Sequence, residues 1–492
     1  MSPTRKVRSS GSLGLAATTT IVLATACDVT EEHTSYRSDA ASASIQLTDT
    51  DGNELEPPVV EAGAAALGGA ATAASQRHGV GTSRWGYDPA FLFAKRTITE
   101  GREIFRHDTF GNEVFWGGSL RLHEAIAGEA NGGVGPGVSP AAALGLGLKV
   151  DLEALPWSLR YHIKNGKVDL EDPATTVELL RLDAVIGLKG SFDDEGELDS
   201  VGVTCALCHT EVDDALADGI GRRLDGWPNR DLDIGAIVAA APDLTAVTDL
   251  LGVDDATLRS VVTGWGRGKF DAFVFLDGKA TKPDGSSAAI TIPPLFGLNG
   301  VGLVTWNGFG SLASWVPLVA NVEIHGVGTF SDRRLRDEER YPVAAAAGFG
   351  RIKNSPDLTT AKMGPLQYYL LSLEPPEAPE GSYDPVAAEA GEELFNGKAR
   401  CSGCHVPPLF TLPGWNVVPG AVVGVDNFHA DRSPAGGYRV PPLRGLFTRN
   451  GGFFHDGRFE TVDEVVEHFD GQFGLNLTDD ESYELGEYLR SL

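Results

Sequence analysis

Two copies of the pattern Cys-x-x-Cys-His constrain this chain more than any other feature. The first copy runs from Cys205 to His209 and the second from Cys401 to His405. At the chain's own cysteine and histidine frequencies, chance alone would produce about one copy per thousand such chains. The pattern is typical of covalent haem c attachment, in which two thiols bond the porphyrin and the histidine ligates iron. The predicted attachment cysteines are Cys205, Cys208, Cys401 and Cys404, and the predicted iron ligands are His209 and His405.

A structural zinc site or a thioredoxin-like dithiol is the alternative interpretation of the same cysteines. Both use the Cys-x-x-Cys spacing, but neither requires a histidine after the second cysteine in both copies. The repeated histidine therefore favours two haem c groups.

Length and charge limit the classes of function. A chain of 492 residues has room for two or three domains. The formal net charge of −28 argues against nucleic-acid binding, which needs basic surfaces. An acidic surface could steer a basic partner such as a small cationic cytochrome, although simple solvation of the acidic groups explains it equally well.

The N-terminal residues resemble an export signal, predicted to cover residues 1–26. Three basic residues precede the short apolar stretch Leu13–Leu23, which is too short for a transmembrane helix. Cleavage after Ala26 would leave Cys27 first, and the neighbourhood resembles a bacterial lipobox. We expect an exported periplasmic or cell-envelope lipoprotein, bound to the membrane only through lipid on Cys27. The alternative is a soluble periplasmic protein.

Residues 27–84 are rich in small and acidic residues and predict a disordered spacer. Beyond it, three kinds of segment occur twice in the same order. They are the helical runs Thr97–His107 and Val386–Asn396, the segments Ile292–Leu298 and Val440–Leu446, and the closing helices Pro365–Leu373 and Glu484–Leu492. The repeats predict a mostly α fold with two cytochrome c-like haem domains and long Gly/Pro-rich loops.

The predicted domain boundaries follow from this repeat. The first haem domain spans residues 85–375, the linker 376–384 contains prolines, and the second domain spans 385–492. In the first domain about a hundred residues separate Phe105 from Cys205, whereas in the second the motif follows Phe395 almost at once. The first domain is therefore enlarged by insertions.

Two stretches carry a resemblance to a known family. Tyr438–Phe469 contains arginine, proline and leucine positions followed by His-Asp-Gly. It resembles the second haem domain of bacterial dihaem cytochrome c peroxidases and their relative MauG. Asn321–Gly326 resembles the segment that supplies the distal glutamate of the peroxidatic haem in that family. The dihaem rubber oxygenase shares the two-motif plan.

The resemblance implies that the second haem relays electrons to the first, where Glu323 acts as acid and base on peroxide. The position of the family's second distal ligand falls on Phe469, so we predict that the adjacent His468 ligates the second iron. His455 is the alternative ligand of that iron, and His325 is a candidate ligand of the first. Val304 replaces a glutamine of the peroxidases, which leaves dioxygen chemistry open.

Three further sets of residues have predicted roles. Arg439 and Arg444 are expected at the haem propionates, and tryptophans are expected to assist electron transfer. The tryptophan candidates are Trp227, Trp265 and Trp306. Family members often bind calcium between their domains, and the oxygens available here belong to Asp225, Asn229 and Asp231.

The sequence thus predicts a peroxidase-like dihaem oxidoreductase. Its expected partners are a small redox donor, either a cytochrome or a cupredoxin, and peroxide or dioxygen as the small-molecule substrate. Two alternatives remain: a pure electron carrier with both irons six-coordinate, and a rubber-oxygenase-like dioxygenase acting on a bulky apolar substrate.

Overall fold

The computed structural model describes residues 88–449 and 452–492. The predicted export signal at 1–26, the whole spacer at 27–84 with the lipidation site Cys27, and the three residues after the spacer lie outside these ranges. Within them, no helix combines the length and the apolar character needed to cross a bilayer.

Helices dominate the described residues, so the predicted mostly α fold class is confirmed. Each of the helical runs predicted from the sequence coincides with or overlaps a helix. The α-helices are α1 Pro89–His107, α2 Leu122–Ala127, α3 Pro140–Gly145, α4 Trp157–Lys164, α5 Pro173–Arg181, α6 Ala206–His209, α7 Ile234–Ala239, α8 Thr245–Leu251, α9 Asp255–Thr263, α10 Val274–Asp277, α11 Leu312–Leu318, α12 Pro342–Ala346, α13 Thr360–Ser372, α14 Pro385–Asn396, α15 Phe428–Asp431, α16 Val462–Phe473 and α17 Asp479–Ser491.

The strands are short and form two-stranded ladders within the described ranges. β1 pairs with β5 in parallel, and the pairs β2–β3, β4–β6, β7–β8 and β9–β10 are antiparallel. Their bounds are β1 Val150–Asp151, β2 Leu188–Phe192, β3 Leu198–Val203, β4 Thr210–Val212, β5 Ile220–Gly221, β6 Arg223–Asp225, β7 Lys269–Phe270, β8 Ile290–Thr291, β9 Thr329–Phe330 and β10 Ile352–Lys353. The hairpin β2–β3 leads directly into the first haem motif.

Side chains at the N-termini fix where the longer helices begin. Asp88 caps α1 by accepting a backbone N–H. Both α16 and α17 open with reciprocal capping boxes, Thr461 with Glu464 and Thr478 with Glu481. A cap of this kind stabilises a helix by about 1 kcal/mol. The starts of α16 and α17 are thus specified by local sequence.

Two helix pairs repeat the same close crossing. A β-carbon added to Gly101 of α1 would lie 2.0 Å from the carbonyl oxygen of Pro365 in α13. A β-carbon added to Gly391 of α14 would lie 2.0 Å from the carbonyl oxygen of Glu484 in α17. Only glycine allows backbones this close.

The aromatic contacts beside these glycines also repeat. Four residues after each glycine a fully buried phenylalanine meets a tyrosine of the partner helix. The ring centroids of Phe105 and Tyr369 lie 5.5 Å apart, and those of Phe395 and Tyr488 lie 5.2 Å apart. The duplicated sequence therefore folds into a duplicated helix crossing, while the exact domain boundaries stay a prediction.

Replacing Gly391 by alanine should lower the free energy of unfolding by about 1–3 kcal/mol, because the added methyl must push α14 away from α17. Gly471 provides the matched control: it lies inside α16 with open space around its Cα. Gly471→Ala should be neutral or stabilise by up to about 1 kcal/mol. Urea unfolding of the two variants measures the difference, and equal effects would contradict the close crossing.

A buried ion pair joins the second half of the chain to the first. Arg432 contacts Asp271 at 3.0 Å and Asp277 at 2.8 Å, and the three side chains are 0%, 0% and 1% exposed. The hydroxyl of Tyr341 donates to the backbone carbonyl of Arg432 at 3.0 Å. Charges this deeply buried are tolerated only when paired, so this contact fixes how residues 271–277 and 432 meet.

Candidate haem sites

The first motif lies where β3 passes into α6. Cys205 precedes the helix, and Cys208 and His209 are in its single turn. Asn229 holds the turn by donating its backbone N–H to the carbonyl of Cys208 at 2.9 Å. Burial raises the pKa of the Cys205 and Cys208 thiols to about 12, and the two thiols are free. Burial also lowers the pKa of His209 to about 4, so the ring is neutral as an iron ligand must be.

All three residues of this motif line one large cavity of about 280 Å³. Its walls are mostly aliphatic and aromatic side chains from α7 to α11. Glu323 and His325 line the same cavity, as do Trp265, Trp306 and Val304. The structure thus brings the predicted thiols, proximal histidine and acid/base residue to one apolar space, which suits a flat apolar macrocycle with a few polar groups at its edge.

Two π-helical segments, Val114–Ser119 and Val319–Glu323, shape the part of the cavity around Glu323. The indole nitrogen of Trp116 donates to the carbonyl of Ile324 at 3.2 Å. The ring of Phe115 stacks on His325 with centroids 3.6 Å apart. Wide turns of this kind often occur at functional sites, and nothing in the local sequence pattern predicted them.

The surroundings of Glu323 favour the protonated form of its carboxyl group. Burial raises its pKa well above the usual range; Asp271 adds to the rise and Arg432 opposes it. Its Oε1 atom is buried and has no hydrogen-bond partner among the described residues. Asp271 also lines the cavity, with a pKa raised to about 6 chiefly by burial. Sequence reasoning missed Asp271, because the fold alone brings it near Glu323.

His325 occupies the same cavity in a strained conformation, with φ of 58°. Burial lowers its pKa to about 4, and its Nε2 atom is buried without a partner in the described chain. Because the ring lies flat against Phe115, the stacking fixes its plane. His325 therefore stays a candidate ligand of the first iron.

The second motif is more open. Cys401 starts a short 3₁₀ turn, Cys404 is exposed and His405 is half-buried. The Nδ1 atom of His405 is hydrogen-bonded to the carbonyl of Phe410 at 2.9 Å. This contact orients the ring, as a second hydrogen bond does in most metal-bound histidines. Burial lowers the pKa of His405 to about 4, which again keeps the ring neutral.

Three arginines cluster between the two motifs. Burial lowers the pKa of Arg230 and Arg439 to about 10, and burial together with these two charges lowers that of Arg449 to about 9. The charge of Arg230 also acts on His209, and that of Arg449 acts on His405. All three carry buried nitrogens with no partner, and no carboxylate of the described residues pairs with them.

The arginine cluster is compatible with two bound haem groups. A buried unpaired charge costs several kcal/mol, so three neighbouring guanidinium groups require anions between them. Each haem carries two propionates, and arginine is suited to bind carboxylates in pairs. The predicted Arg439 is part of the cluster, but the predicted Arg444 is exposed and lies outside it. Arg230 and Arg449 were missed, since no local pattern marks either of them.

His468, the predicted ligand of the second iron, has another partner in this structure. Its Nε2 atom is hydrogen-bonded to the carbonyl of Val423 at 2.8 Å, and its ring packs on Phe454 and Phe459. Ligation through Nε2 would require this hydrogen bond to break. Ligation by His468 therefore stays a prediction.

His455, the alternative ligand, is 3% exposed. Its ring lies 4.7 Å from that of His429 and 4.6 Å from that of Tyr438. Its Nε2 atom is buried with no partner among the described residues. His455 is thus packed among aromatic rings, and its ligation of iron likewise stays a prediction.

The predicted calcium ligands are engaged elsewhere. Asp225 accepts hydrogen bonds from Arg106 and Tyr369, both at 2.5 Å. Asp231 pairs with Lys149 at 2.6 Å, and the amide of Asn229 donates to backbone carbonyls. Across residues 88–449 and 452–492, no group of three acidic, histidine or cysteine side chains has metal-binding geometry. Both carboxylates already have cationic partners, Arg106 and Lys149, so these contacts do not support a calcium site, which stays a prediction.

Two of the three candidate tryptophans lie where the two halves of the chain meet. Trp227 meets Phe447 of the second half edge to face, with centroids 5.5 Å apart. Trp306 lines the cavity, donates to the carbonyl of Thr291 at 2.7 Å and lies 5.8 Å from the guanidinium of Arg449. Both therefore sit where residues of the two halves meet, whereas Trp265 is on the cavity wall.

Comparison with known proteins adds little. No family model matches the sequence, and no curated protein matches it significantly. Among solved structures, hydrazine synthase from Kuenenia stuttgartiensis is similar over 45% of this chain and 85% of its own, with 17% identity and a TM-score of 0.24. A TM-score this low does not assign a fold.

Proposed function

We propose that this chain is an exported dihaem c-type oxidoreductase with two cytochrome c-like domains. The observation that carries the proposal is the arginine cluster between two Cys-x-x-Cys-His motifs. Each motif provides two thiols and a neutral histidine, and the cluster provides buried cations that pair with no carboxylate of the described residues. The duplicated helix crossing supports two domains of one kind. Export and lipid attachment at Cys27 belong to the same proposal and rest on the sequence alone.

Within this class we propose a peroxidase of the MauG type, with its reactive haem at the first motif. A haem bound there supplies iron that binds peroxide and accepts its oxidising equivalents. Glu323 takes a proton from one peroxide oxygen and returns it to the departing oxygen, as general acid–base catalysis requires. Glu323 suits this task because its Oε1 atom is buried in the cavity without a partner among the described residues, and its raised pKa makes the ionised carboxylate a stronger base than an ordinary glutamate.

The second motif is proposed to receive electrons and pass them to the first. Cys404 is exposed, so a haem attached there would be accessible to an electron donor from solvent. The arginine cluster of Arg230, Arg439 and Arg449 would bind the propionates of the two haems. Trp227 with Phe447, and Trp306 beside Arg449, provide aromatic contacts between the two halves.

A dioxygenase acting on an apolar substrate is the second candidate function. The specific observation in its favour is the apolar cavity, in which Val304 occupies the place of a peroxidase glutamine. A wall of this kind would accommodate a hydrocarbon as well as a porphyrin. A stable dioxygen adduct of the reduced first haem would support this candidate.

Resting-state EPR with peroxide stopped-flow spectroscopy tests the proposal on the purified holoprotein. We expect two haem c per chain, one high-spin signal from an open first iron, and a rapid Soret change on adding hydrogen peroxide. Two low-spin signals with no response to peroxide would instead establish a pure electron carrier. Absence of covalent haem would overturn the whole assignment.

A further inference from the structure

The surface beside the second motif carries no charge. From Cys401 to Val425 the chain has 25 residues without a single Asp, Glu, Lys or Arg, although 22% of the whole sequence is charged. Large apolar side chains on this stretch face solvent: Trp415 is 72% exposed, Val422 44% and Val406 40%. Apolar side chains exposed together on one surface mark a site of interaction, so this stretch indicates a surface for binding.

A loop of the first half extends this surface. The segment from Gly285 to Val322 also lacks charged residues. A β-carbon added to Gly302 would lie 2.1 Å from the carbonyl oxygen of Gly414, and one added to Gly300 would lie 3.1 Å from Leu409. The two uncharged segments are therefore in direct contact. We call the exposed side of Cys401–Val425, together with Asn299–Gly302, the uncharged surface.

The uncharged surface includes the exposed Cys404, the point where the second haem would be attached. We propose that it is the docking site of the electron donor, and that the donor is a small redox protein with an apolar, uncharged face. This inference rests on the proposed function, because it presupposes a haem on Cys401 and Cys404. It also replaces the expectation that the chain's net charge of −28 selects a basic donor.

The chemistry of the surface identifies the kind of partner. A cationic donor would be attracted to acidic side chains at its binding site, and here the nearest such position along the chain is Asp426, beyond the end of the stretch. Electron-transfer complexes are small, burying less than about 1,200 Å² in total, so a single exposed tryptophan can dominate the contact. Trp415, the most exposed of the large apolar side chains here, is the expected anchor.

The test measures reduction of the second haem in the full-length holoprotein by two reduced probes, azurin with its uncharged apolar face and mitochondrial cytochrome c with its lysine-rich face. We expect azurin to react, with a rate that changes less than about twofold between 0.01 and 0.5 M salt. Trp415→Ala and Val422→Lys should each slow it by at least about tenfold. Trp157→Ala, which removes a 57% exposed tryptophan on α4, should leave the rate unchanged.

Two results would contradict the proposed docking site, and both differ from a failure of the proposed function. Faster reduction by cytochrome c with a steep salt dependence, unaffected by Trp415→Ala, would overturn the proposal in favour of docking on acidic surface. Reduction by neither probe, in protein whose second haem is reduced normally by ascorbate, would overturn it too. Failure of the proposed function shows separately, as absence of covalent haem in the purified protein before any donor is added.

Discussion

Replacing Glu323 by glutamine should slow the reaction of the holoprotein with hydrogen peroxide by about 10²–10⁴-fold, the usual contribution of a positioned acid–base group. The amide has the size of the carboxyl but can neither accept nor return the proton. Haem content and the spectra of both resting haems should stay as in the wild type, because Oε1 of Glu323 has no hydrogen bond to any described residue that the replacement would break. Stopped-flow absorbance after mixing with peroxide gives the rate.

The rate of the reaction with peroxide should rise with pH. Burial and the neighbouring Asp271 raise the pKa of Glu323, so the carboxyl keeps its proton to higher pH than a free glutamic acid. To act first as a base on peroxide it must be ionised. The rate should therefore rise with pH until Glu323 has lost its proton, and the rise should lie above the usual range of a glutamate. In Glu323→Gln the rate should not rise over this pH range; we call the rise seen in the wild type the rising limb.

Glu211→Gln is the control for this prediction. Glu211 is a largely buried carboxylate of the first half that pairs with Lys149 at 3.1 Å and lies outside the cavity lining. Its replacement should leave the peroxide rate within about twofold, because it affects no reacting proton. If the two variants reacted alike, or if the rising limb persisted without Glu323, the acid–base role would be wrong.

Local sequence signals predicted the helices well. The helix α14 follows from the spacing of Gly391 and Phe395, and the turn at Cys401 follows from a motif whose residues are adjacent in sequence. Such features depend on neighbours within a few residues, so the sequence alone contains the information.

The surroundings of the first motif depend on distant contacts instead. Asp271 meets Arg432 across 161 residues, and Arg230 and Arg449 meet only in the folded chain. The π-helical turn that ends at Glu323 is held by Trp116 across 208 residues. No periodicity marks such positions, since burial of a charge becomes visible only when its neighbours are known.

A contact between residues far apart in the sequence also limits the prediction for His468. Its place on α16 followed from a helix that the capping box at Thr461 specifies. The carbonyl that accepts its hydrogen bond belongs to Val423, 45 residues earlier, in an irregular loop. Helical position is a local property, whereas the partner of a side chain is set by loop geometry that sequence patterns do not describe.

The second large effect is expected at Arg432. Replacing it by methionine should lower the free energy of unfolding by about 3–5 kcal/mol, because Asp271 and Asp277 would stay buried without a cation. Methionine keeps the apolar stem of arginine, so most of the loss reflects the two unpaired carboxylates, and the shorter side chain adds a smaller cavity contribution. The loss of this cation should also raise the pKa of Glu323 further, since Arg432 is the group that opposes the rise. The rising limb of the peroxide rate should then move to higher pH.

Two control variants distinguish the cost of a buried unpaired charge from non-specific destabilisation. Arg334→Met removes an arginine that pairs with Asp332 at 2.6 Å but is 32% exposed, and it should cost at most about 1 kcal/mol. The triple replacement of Arg432, Asp271 and Asp277 by apolar residues of similar size should recover most of the stability lost in Arg432→Met, because no unpaired charge remains. Chemical denaturation of the holoproteins compares the three. If the triple variant were as unstable as Arg432→Met, shape rather than charge would govern this contact.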